Sequence, residues 1–208
     1  MAASDFNIIC VTNRHLCNGN FLEKVEKVAA GGVNAVILRE KDLTEKEYGI
    51  LAEEFVKICR KNGVGAILHT YVDAAIELGA GEIHLPLDAM KELDNKKRNK
   101  FNKIGVSCHS LQDVLLAVEL GAEYVTFGHV FETDCKRNLA PRGLEALKNV
   151  CGNVKIPVYA IGGINAGNIN SVRDAGAAGA CIMSGFMQCE NPKNFVHRLI
   201  NFNGGKNA

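Results

Sequence analysis

Four glycine-led segments of this chain resemble one another, and they constrain its fold more than any other feature. They read "GVNAVIL" from Gly32, "GAGEIHL" from Gly79, "GAEYVTF" from Gly121 and "GAAGACIM" from Gly176. Each segment follows a helical pattern and opens a short apolar run. Each glycine is therefore predicted to end a helix in the left-handed conformation, which glycine adopts at little cost. The spacing between successive glycines leaves room for two strand–helix units in each interval.

Further short, β-rich apolar runs fall between the repeats. They cover residues 6–13, 65–69, 103–109 and 157–163. Helical segments separate them, most clearly at 44–61 and at 111–120, where Ser110 is the predicted N-cap. Continuous apolar strands that alternate with helices predict a parallel sheet that is buried on both faces. Eight such units in 208 residues predict an α/β protein with a single (β/α)8 TIM barrel over residues 1–208. A doubly wound open sheet is the alternative, but it would not need the fourfold repetition.

The composition excludes several classes of function. The formal net charge is +1, so no electrostatic feature favours nucleic acid as a partner. No apolar run approaches the roughly 18 residues of a transmembrane helix, and the N-terminus lacks the pattern of a signal peptide. The eight cysteines are scattered without a Cys-x-x-Cys pair, which is typical of reduced thiols. We therefore expect a cytoplasmic protein with neither a membrane nor a nucleic-acid partner.

The ends of the last two predicted strands are rich in glycine. In a TIM barrel the active site lies at the carboxyl ends of the strands, often with a phosphate site after strands seven and eight. Here "AIGGIN" (160–165) ends strand seven and "IMSG" (182–185) ends strand eight. Backbone N–H groups of paired glycines and of a helix N-terminus can approach an anion closely. We call Gly162, Gly163, Ser184 and Gly185 the phosphate cup; tight turns without a ligand are the alternative.

Several titratable side chains follow the predicted strands. His129 ends strand six and is the best candidate for proton transfer, because the unperturbed pKa of histidine is about 6.5. Cys135 is a weaker candidate nucleophile, since no sequence feature lowers its pKa. His69 and His109 are candidate ligand contacts, whereas His84 lies in an alternating run that favours a core or supporting role. The histidines lack the spacing of a zinc site and the rim lacks an obvious carboxylate pair, so no metal site is predicted.

The chain resembles the thiamine phosphate synthase superfamily over nearly its whole length. The resemblance lies in "LREK" (38–41), "GVSCHS" (105–110), "GHVFETDCKRNLAPRG" (128–143), "IPVYAIGGI" (156–164) and "MSG" (183–185). It implies a TIM barrel with a role in thiamine biosynthesis. One branch, the synthases, joins a pyrimidine pyrophosphate to a thiazole phosphate with Mg²⁺. The other branch, the thiazole tautomerases, shares the barrel and the thiazole phosphate site but only aromatises the thiazole.

The sequence departs from the synthase pattern at the positions that would bind the metal. After strand three, where synthases carry Asn-Asp, it has His69 and Thr70. After strand four, Ala89 stands where synthases carry an aspartate. Asp88 and Asp73 are the nearby acids that a shifted alignment would offer. The segment "GHVFETDCK" is, moreover, similar to the tautomerase branch.

These departures predict a metal-independent isomerase, a thiazole tautomerase that needs no cofactor. The resemblance then implies that His129 moves the proton, that the phosphate cup holds a thiazole phosphate, and that Arg39 and Lys136 bind its carboxylate. Lys41, Ser107 and Lys136 also match the pyrophosphate contacts of the synthases, so an Mg²⁺-dependent thiamine phosphate synthase is the alternative. A non-catalytic regulatory protein that binds a phospholigand is the third reading. The sequence leaves open whether the chain forms a homo-oligomer.

Overall fold

Eight parallel strands close into a barrel in a computed structural model that describes residues 6–134 and 139–201. The strands are Asn7–Val11 (β1), Ala35–Leu38 (β2), Gly65–His69 (β3), Glu82–Pro86 (β4), Lys103–Cys108 (β5), Tyr124–Gly128 (β6), Val158–Ile161 (β7) and Gly179–Ile182 (β8). Each strand pairs with the next along the chain, and β8 pairs with β1 through the register Ile9 to Cys181. The predicted TIM barrel is therefore confirmed, and the open sheet is excluded.

Helices connect the strands and surround the barrel. They are Phe21–Ala29 (α1), Glu45–Lys61 (α2), Val72–Glu77 (α3), Leu87–Glu92 (α4), Asn95–Arg98 (α5), Leu111–Glu119 (α6), Gly143–Asn153 (α7), Ile169–Asp174 (α8), Ser184–Gln188 (α9) and Pro192–Asn201 (α10), with a short 3-10 helix at Arg14–Leu16. Within the described residues, no helix is both long enough and apolar enough to span a membrane.

The helix ends follow the local signals in the sequence. Thr44 and Ser110 each form a capping box at the start of α2 and α6, which satisfies backbone N–H groups that the first helical turn leaves without a partner. The four repeat glycines have positive φ angles of 96°, 61°, 82° and 90°, as predicted. The chain turns at these glycines, and each of the four strands begins three residues after its glycine.

The apolar residues form two layers. Most of the buried side chains lie between the strands and the helices. A smaller cluster fills the barrel itself and consists of Ile9, Val11, Ile37, Ile67, Tyr124, Tyr159 and Cys181. The barrel interior is thus a packed core, and a ligand can bind only at the mouth of the barrel.

Candidate functional site

A cavity of about 1540 Å³ opens at the carboxyl ends of the strands. It brings together most of the residues that the sequence nominated, which are Arg39, Lys41, Ser107, His129, Gly162, Gly163, Ser184 and Gly185. His69 and His109 line the same cavity. Lys136 and Cys135 lie outside the described residues. The carboxyl ends of parallel strands meet at one end of a closed barrel, so residues that are distant in sequence share one cavity.

The β2–α2 loop carries two cations into the cavity wall. Arg39 is partly buried and Lys41 is exposed, and both line the cavity. Glu40, between them, is buried and bonds instead to the β1–α1 loop, where its carboxylate accepts hydrogen bonds from Thr12 and Arg14. The loop therefore presents positive charge to the cavity and keeps its buried negative charge paired on the other side.

A buried histidine holds the cavity residue Ser107 from below. The Nε2 atom of His84 lies 2.9 Å from the hydroxyl oxygen of Ser107, and Nδ1 lies 3.1 Å from that of Tyr124. Burial lowers the pKa of His84 to about 3, and the charges of Lys41 and Arg39 add to this effect. The imidazole is therefore neutral near neutral pH and can form one hydrogen bond as donor and one as acceptor.

The neighbouring His69 is neutral for the same reason. Burial, His84 and the cations Lys41 and Arg39 together hold its pKa well below its usual range. The backbone N–H of His69 donates to the hydroxyl of the buried Tyr48 over 2.8 Å, and Tyr48 donates to the carbonyl of Leu38 over 2.7 Å. This tyrosine bridges the ends of β2 and β3 from the helix side of the barrel wall.

The neutral histidines predict a stability that depends on pH. In the unfolded chain, the pKa of His84 has its ordinary value of 6.5. Below that pH, the unfolded state therefore binds a proton that the folded state does not. The free energy of unfolding should fall as pH drops from about 6.5 towards about 3, by about 1.4 kcal/mol per pH unit for each such histidine. Urea unfolding at several pH values measures this slope.

The control for this prediction is a histidine at the protein surface. His84→Gln should reduce the slope of unfolding free energy against pH, whereas His197→Gln, at an exposed position on α10, should leave it unchanged. An unchanged slope in His84→Gln would show that this imidazole titrates normally in the folded protein.

The phosphate cup has a structural constraint that the sequence did not reveal. Gly162 and Gly163 both have positive φ angles, 99° and 69°. A Cβ atom on Gly162 would lie 2.2 Å from the Cβ atom of His129, and one on Gly163 would lie 2.3 Å from the carbonyl oxygen of Glu132. The glycine pair is thus required by its contact with the β6–α7 loop, whether or not an anion binds there.

His129 lines the cavity beside Gly162. Its side chain is buried, and its Nε2 atom is 3.1 Å from the carbonyl oxygen of Leu139. The Leu139 carbonyl accepts a hydrogen bond only from a nitrogen that carries a proton, so this contact favours a proton on Nε2. His129 therefore lies in the cavity wall, with its Nε2 atom bonded to the chain's own backbone.

At the ends of β3 and β4, the described residues place one carboxylate, that of Asp88, on the cavity wall. At the end of β3, the hydroxyl of Thr70 lies 2.5 Å from Nδ1 of His69, and neither side chain is the hard carboxylate that Mg²⁺ prefers. Asp88 is exposed and paired with Lys91, while Asp73 pairs with Lys97. Across residues 6–134 and 139–201, no group of three or more His, Cys, Asp or Glu side chains could hold a metal ion.

Sequence reasoning missed the buried residues that support the cavity. Thr12 and Glu40 join two loops, and Tyr48 bridges two strands. The sequence held one clue to Glu40. This residue closely follows an apolar strand, and a carboxylate that is buried at such a position needs a hydrogen-bond or ion-pair partner. Tyr48 lies on the apolar face of α2, where the sequence predicts packing in the core. Nothing in the sequence indicates that its hydroxyl forms hydrogen bonds to two strands.

Comparison with known proteins assigns the family. A family model described as thiamine monophosphate synthase matches residues 8–186. The chain belongs to the thiamine monophosphate synthase family. A thiamine-phosphate synthase from Fusobacterium nucleatum is 33% identical over 210 residues, which cover 98% of this chain and 100% of that protein. A thiamine-phosphate synthase from Syntrophomonas wolfei is 34% identical, and the alignment covers 96% of this chain and 97% of that protein. The predicted superfamily is confirmed.

A solved structure supports the same assignment. The thiamine phosphate pyrophosphorylase from Pyrococcus furiosus superposes with a TM-score of 0.81 at 27% identity, and the match covers 96% of each chain.

These comparisons overturn the predicted thiazole tautomerase and its isomerase activity. Relatives that align over nearly the whole chain are named thiamine-phosphate synthase, which was the alternative reading. The prediction was wrong because it rested on a few loop positions, namely the segment around His129 and the acids missing after strands three and four. It gave too little weight to Lys41 and Ser107, which match the pyrophosphate contacts of the synthases by resemblance and line the cavity.

Proposed function

We propose that this chain is a transferase that joins a pyrimidine pyrophosphate to a thiazole phosphate, forming thiamine phosphate and releasing inorganic pyrophosphate. The similarity of nearly the whole chain to proteins named thiamine-phosphate synthase carries this proposal. The cavity supports it, because cations follow β2 while a glycine pair and a serine hydroxyl follow β7 and β8. Two phosphorylated substrates need two anion-binding regions in one cavity.

The reaction exchanges one bond of the pyrimidine methylene carbon for another. The carbon–oxygen bond to pyrophosphate breaks, and a carbon–nitrogen bond to the thiazole ring forms. Negative charge grows on the departing pyrophosphate, and Arg39 and Lys41 would offset it. The hydroxyl of Ser107, oriented by His84, would donate a hydrogen bond to the same group. The resemblance adds Lys136 as a further cation.

The thiazole phosphate is proposed to occupy the phosphate cup. Backbone N–H groups of Gly162, Gly163 and Gly185, with the hydroxyl of Ser184, are suitable donors for a phosphate. His129 lies beside Gly162 and is proposed to contact the thiazole. The transferase reaction does not require His129 to remove a proton from the thiazole ring, so the proposed role of His129 is to position the substrate.

The resemblance implies that synthases use Mg²⁺. Among the described residues, no group of three or more His, Cys, Asp or Glu side chains could hold a metal ion, and an ion bound through substrate phosphates would have Asp88 as a carboxylate in the cavity wall. No step above is therefore assigned to a metal. The cations and the hydroxyl are the groups of this chain that can stabilise the leaving pyrophosphate.

The experiment is a transferase assay with the purified protein. Pyrimidine pyrophosphate and thiazole phosphate are supplied together, and thiamine phosphate and released pyrophosphate are quantified, once with Mg²⁺ and once with EDTA. Equal amounts of both products in either condition support the proposal. If the protein binds inorganic phosphate but forms no thiamine phosphate in either condition, the transferase proposal fails and the non-catalytic reading is favoured.

A further inference from the structure

A buried carboxylate joins the β1–α1 and β2–α2 loops. The side chain of Glu40 is only 1% exposed. One of its oxygens accepts a hydrogen bond from the hydroxyl of Thr12 over 2.6 Å. The other accepts from the backbone N–H of Arg14 over 3.0 Å and from its guanidinium over 3.2 Å. These contacts all come from the β1–α1 loop, and we call Thr12, Arg14 and Glu40 the loop clamp.

The loop clamp also holds the backbone of Arg39. The N–H of Arg39 donates to the hydroxyl oxygen of Thr12 over 2.9 Å, while the same hydroxyl donates to Glu40. Thr12 is fully buried. Because consecutive hydrogen bonds in a buried chain polarise and strengthen one another, the position of Arg39 depends on the carboxylate of Glu40.

The charges of the clamp are balanced inside the clamp. A buried carboxylate is stable only when a cation and hydrogen-bond donors satisfy it. Arg14 supplies the positive charge to Glu40, and it also forms two hydrogen bonds with Asp42 farther out in the β2–α2 loop. Neither Glu40 nor Arg14 lines the cavity, whereas Arg39 and Lys41 do. The clamp therefore holds the loop without placing its own charges in the cavity.

The same clamp reaches the other end of the cavity. The 3-10 helix Arg14–Leu16, which begins at a clamp residue, packs against α9. α9 begins with Ser184 and Gly185 of the phosphate cup. The β1–α1 loop is thus in contact with both regions to which anion binding is assigned, the cations after β2 and the cup after β8.

We propose that Glu40 is a positioning residue that fixes the cations of the β2–α2 loop relative to the phosphate cup. Glu40 does not touch the substrates and acts through Thr12 and Arg14. The proposal rests on the proposed function for the choice of pyrophosphate as a probe and for the kinetic measurement. Its failure and the failure of the proposed function are therefore distinguishable, because the first is measured in variants and the second in the wild-type protein.

The test compares Glu40→Gln with Glu53→Gln by calorimetric titration with inorganic pyrophosphate and by steady-state kinetics. Glu53 is exposed on α2 and pairs with Lys57, so it undergoes the same substitution without any contact to the cavity. Glu40→Gln should weaken pyrophosphate binding roughly tenfold and lower kcat/KM roughly tenfold to a hundredfold, because small displacements of binding groups are costly. Glu53→Gln should change neither quantity.

A second pair of variants covers the case in which Glu40→Gln does not fold. Thr12→Val removes the hydroxyl at nearly constant volume, whereas Thr12→Ser keeps it. Thr12→Val should weaken pyrophosphate binding by roughly fivefold or more, and Thr12→Ser should restore it. If the variants lose thermal stability but bind pyrophosphate as the wild type does, Glu40 is merely structural and the proposal is overturned.

Measurements on the wild-type protein separate the two proposals. A wild-type protein that forms no thiamine phosphate contradicts the proposed function. If the wild type does not bind pyrophosphate, the clamp is tested with inorganic phosphate at the cup. Unchanged phosphate affinity in Glu40→Gln, or no binding of either anion by the wild type, overturns the positioning role.

Discussion

Replacing Gly162 by alanine should lower the free energy of unfolding by at least about 3 kcal/mol. Two independent effects contribute. The residue has a φ angle of 99°, which side chains with a Cβ atom rarely adopt, and the added Cβ would lie 2.2 Å from the Cβ and 2.7 Å from the Cα of His129. Because one of these atoms belongs to the backbone, no rotamer change relieves the clash. Urea unfolding of wild type and variant measures the difference.

Gly49→Ala is the matched control for this substitution. Gly49 lies inside α2 with no neighbouring atom within 4 Å of the position that a Cβ would occupy. Alanine favours the helix there, so this variant should gain about 0.5–1 kcal/mol. A Gly162→Ala protein as stable as the wild type would mean that Gly162 and His129 do not approach each other as described, and the placement of His129 in the cavity wall would fall with that contact.

Replacing Arg39 by glutamine should lower kcat/KM of the proposed transferase by about a hundredfold to a thousandfold. Arg39 lines the cavity and contributes to the lowered pKa of both His69 and His84, so its charge acts directly on this region. A leaving pyrophosphate gains negative charge in the transition state, and the loss of a fixed cation therefore slows the step itself. Steady-state kinetics with both substrates measure the effect.

Arg60→Gln is the control with the same change of charge. Arg60 is exposed in the last turn of α2, at the opposite end of the barrel from the cavity. Its replacement should leave kcat/KM unchanged. If Arg39→Gln retains full activity while the protein still forms thiamine phosphate, the pyrophosphate is bound elsewhere and the assignment of the cations after β2 is wrong.

The placement of the candidate residues around one cavity was largely predictable, because it depends on strand ends. Arg39, Ser107 and His129 lie within or directly after apolar strands, and a closed parallel barrel brings such positions to one mouth. The positions at which synthases bind the metal also lie at strand ends. At the end of β3 they are occupied by His69 and Thr70, and neither side chain is a carboxylate. The activity was the part that such position-by-position reasoning misjudged, since a few loop residues outweighed similarity over the whole chain.

The sequence by itself determined the barrel, because its signals act over a few residues. Thr44 and Ser110 cap helices with groups three positions away, and each repeat glycine ends a helix through its own φ angle. Only the tertiary structure decided which supporting groups meet. Thr12 and Glu40 are 28 residues apart in the chain, yet their oxygens lie 2.6 Å from each other. Such contacts depend on how neighbouring strands align and on which side chains become buried, and neither is determined by local sequence.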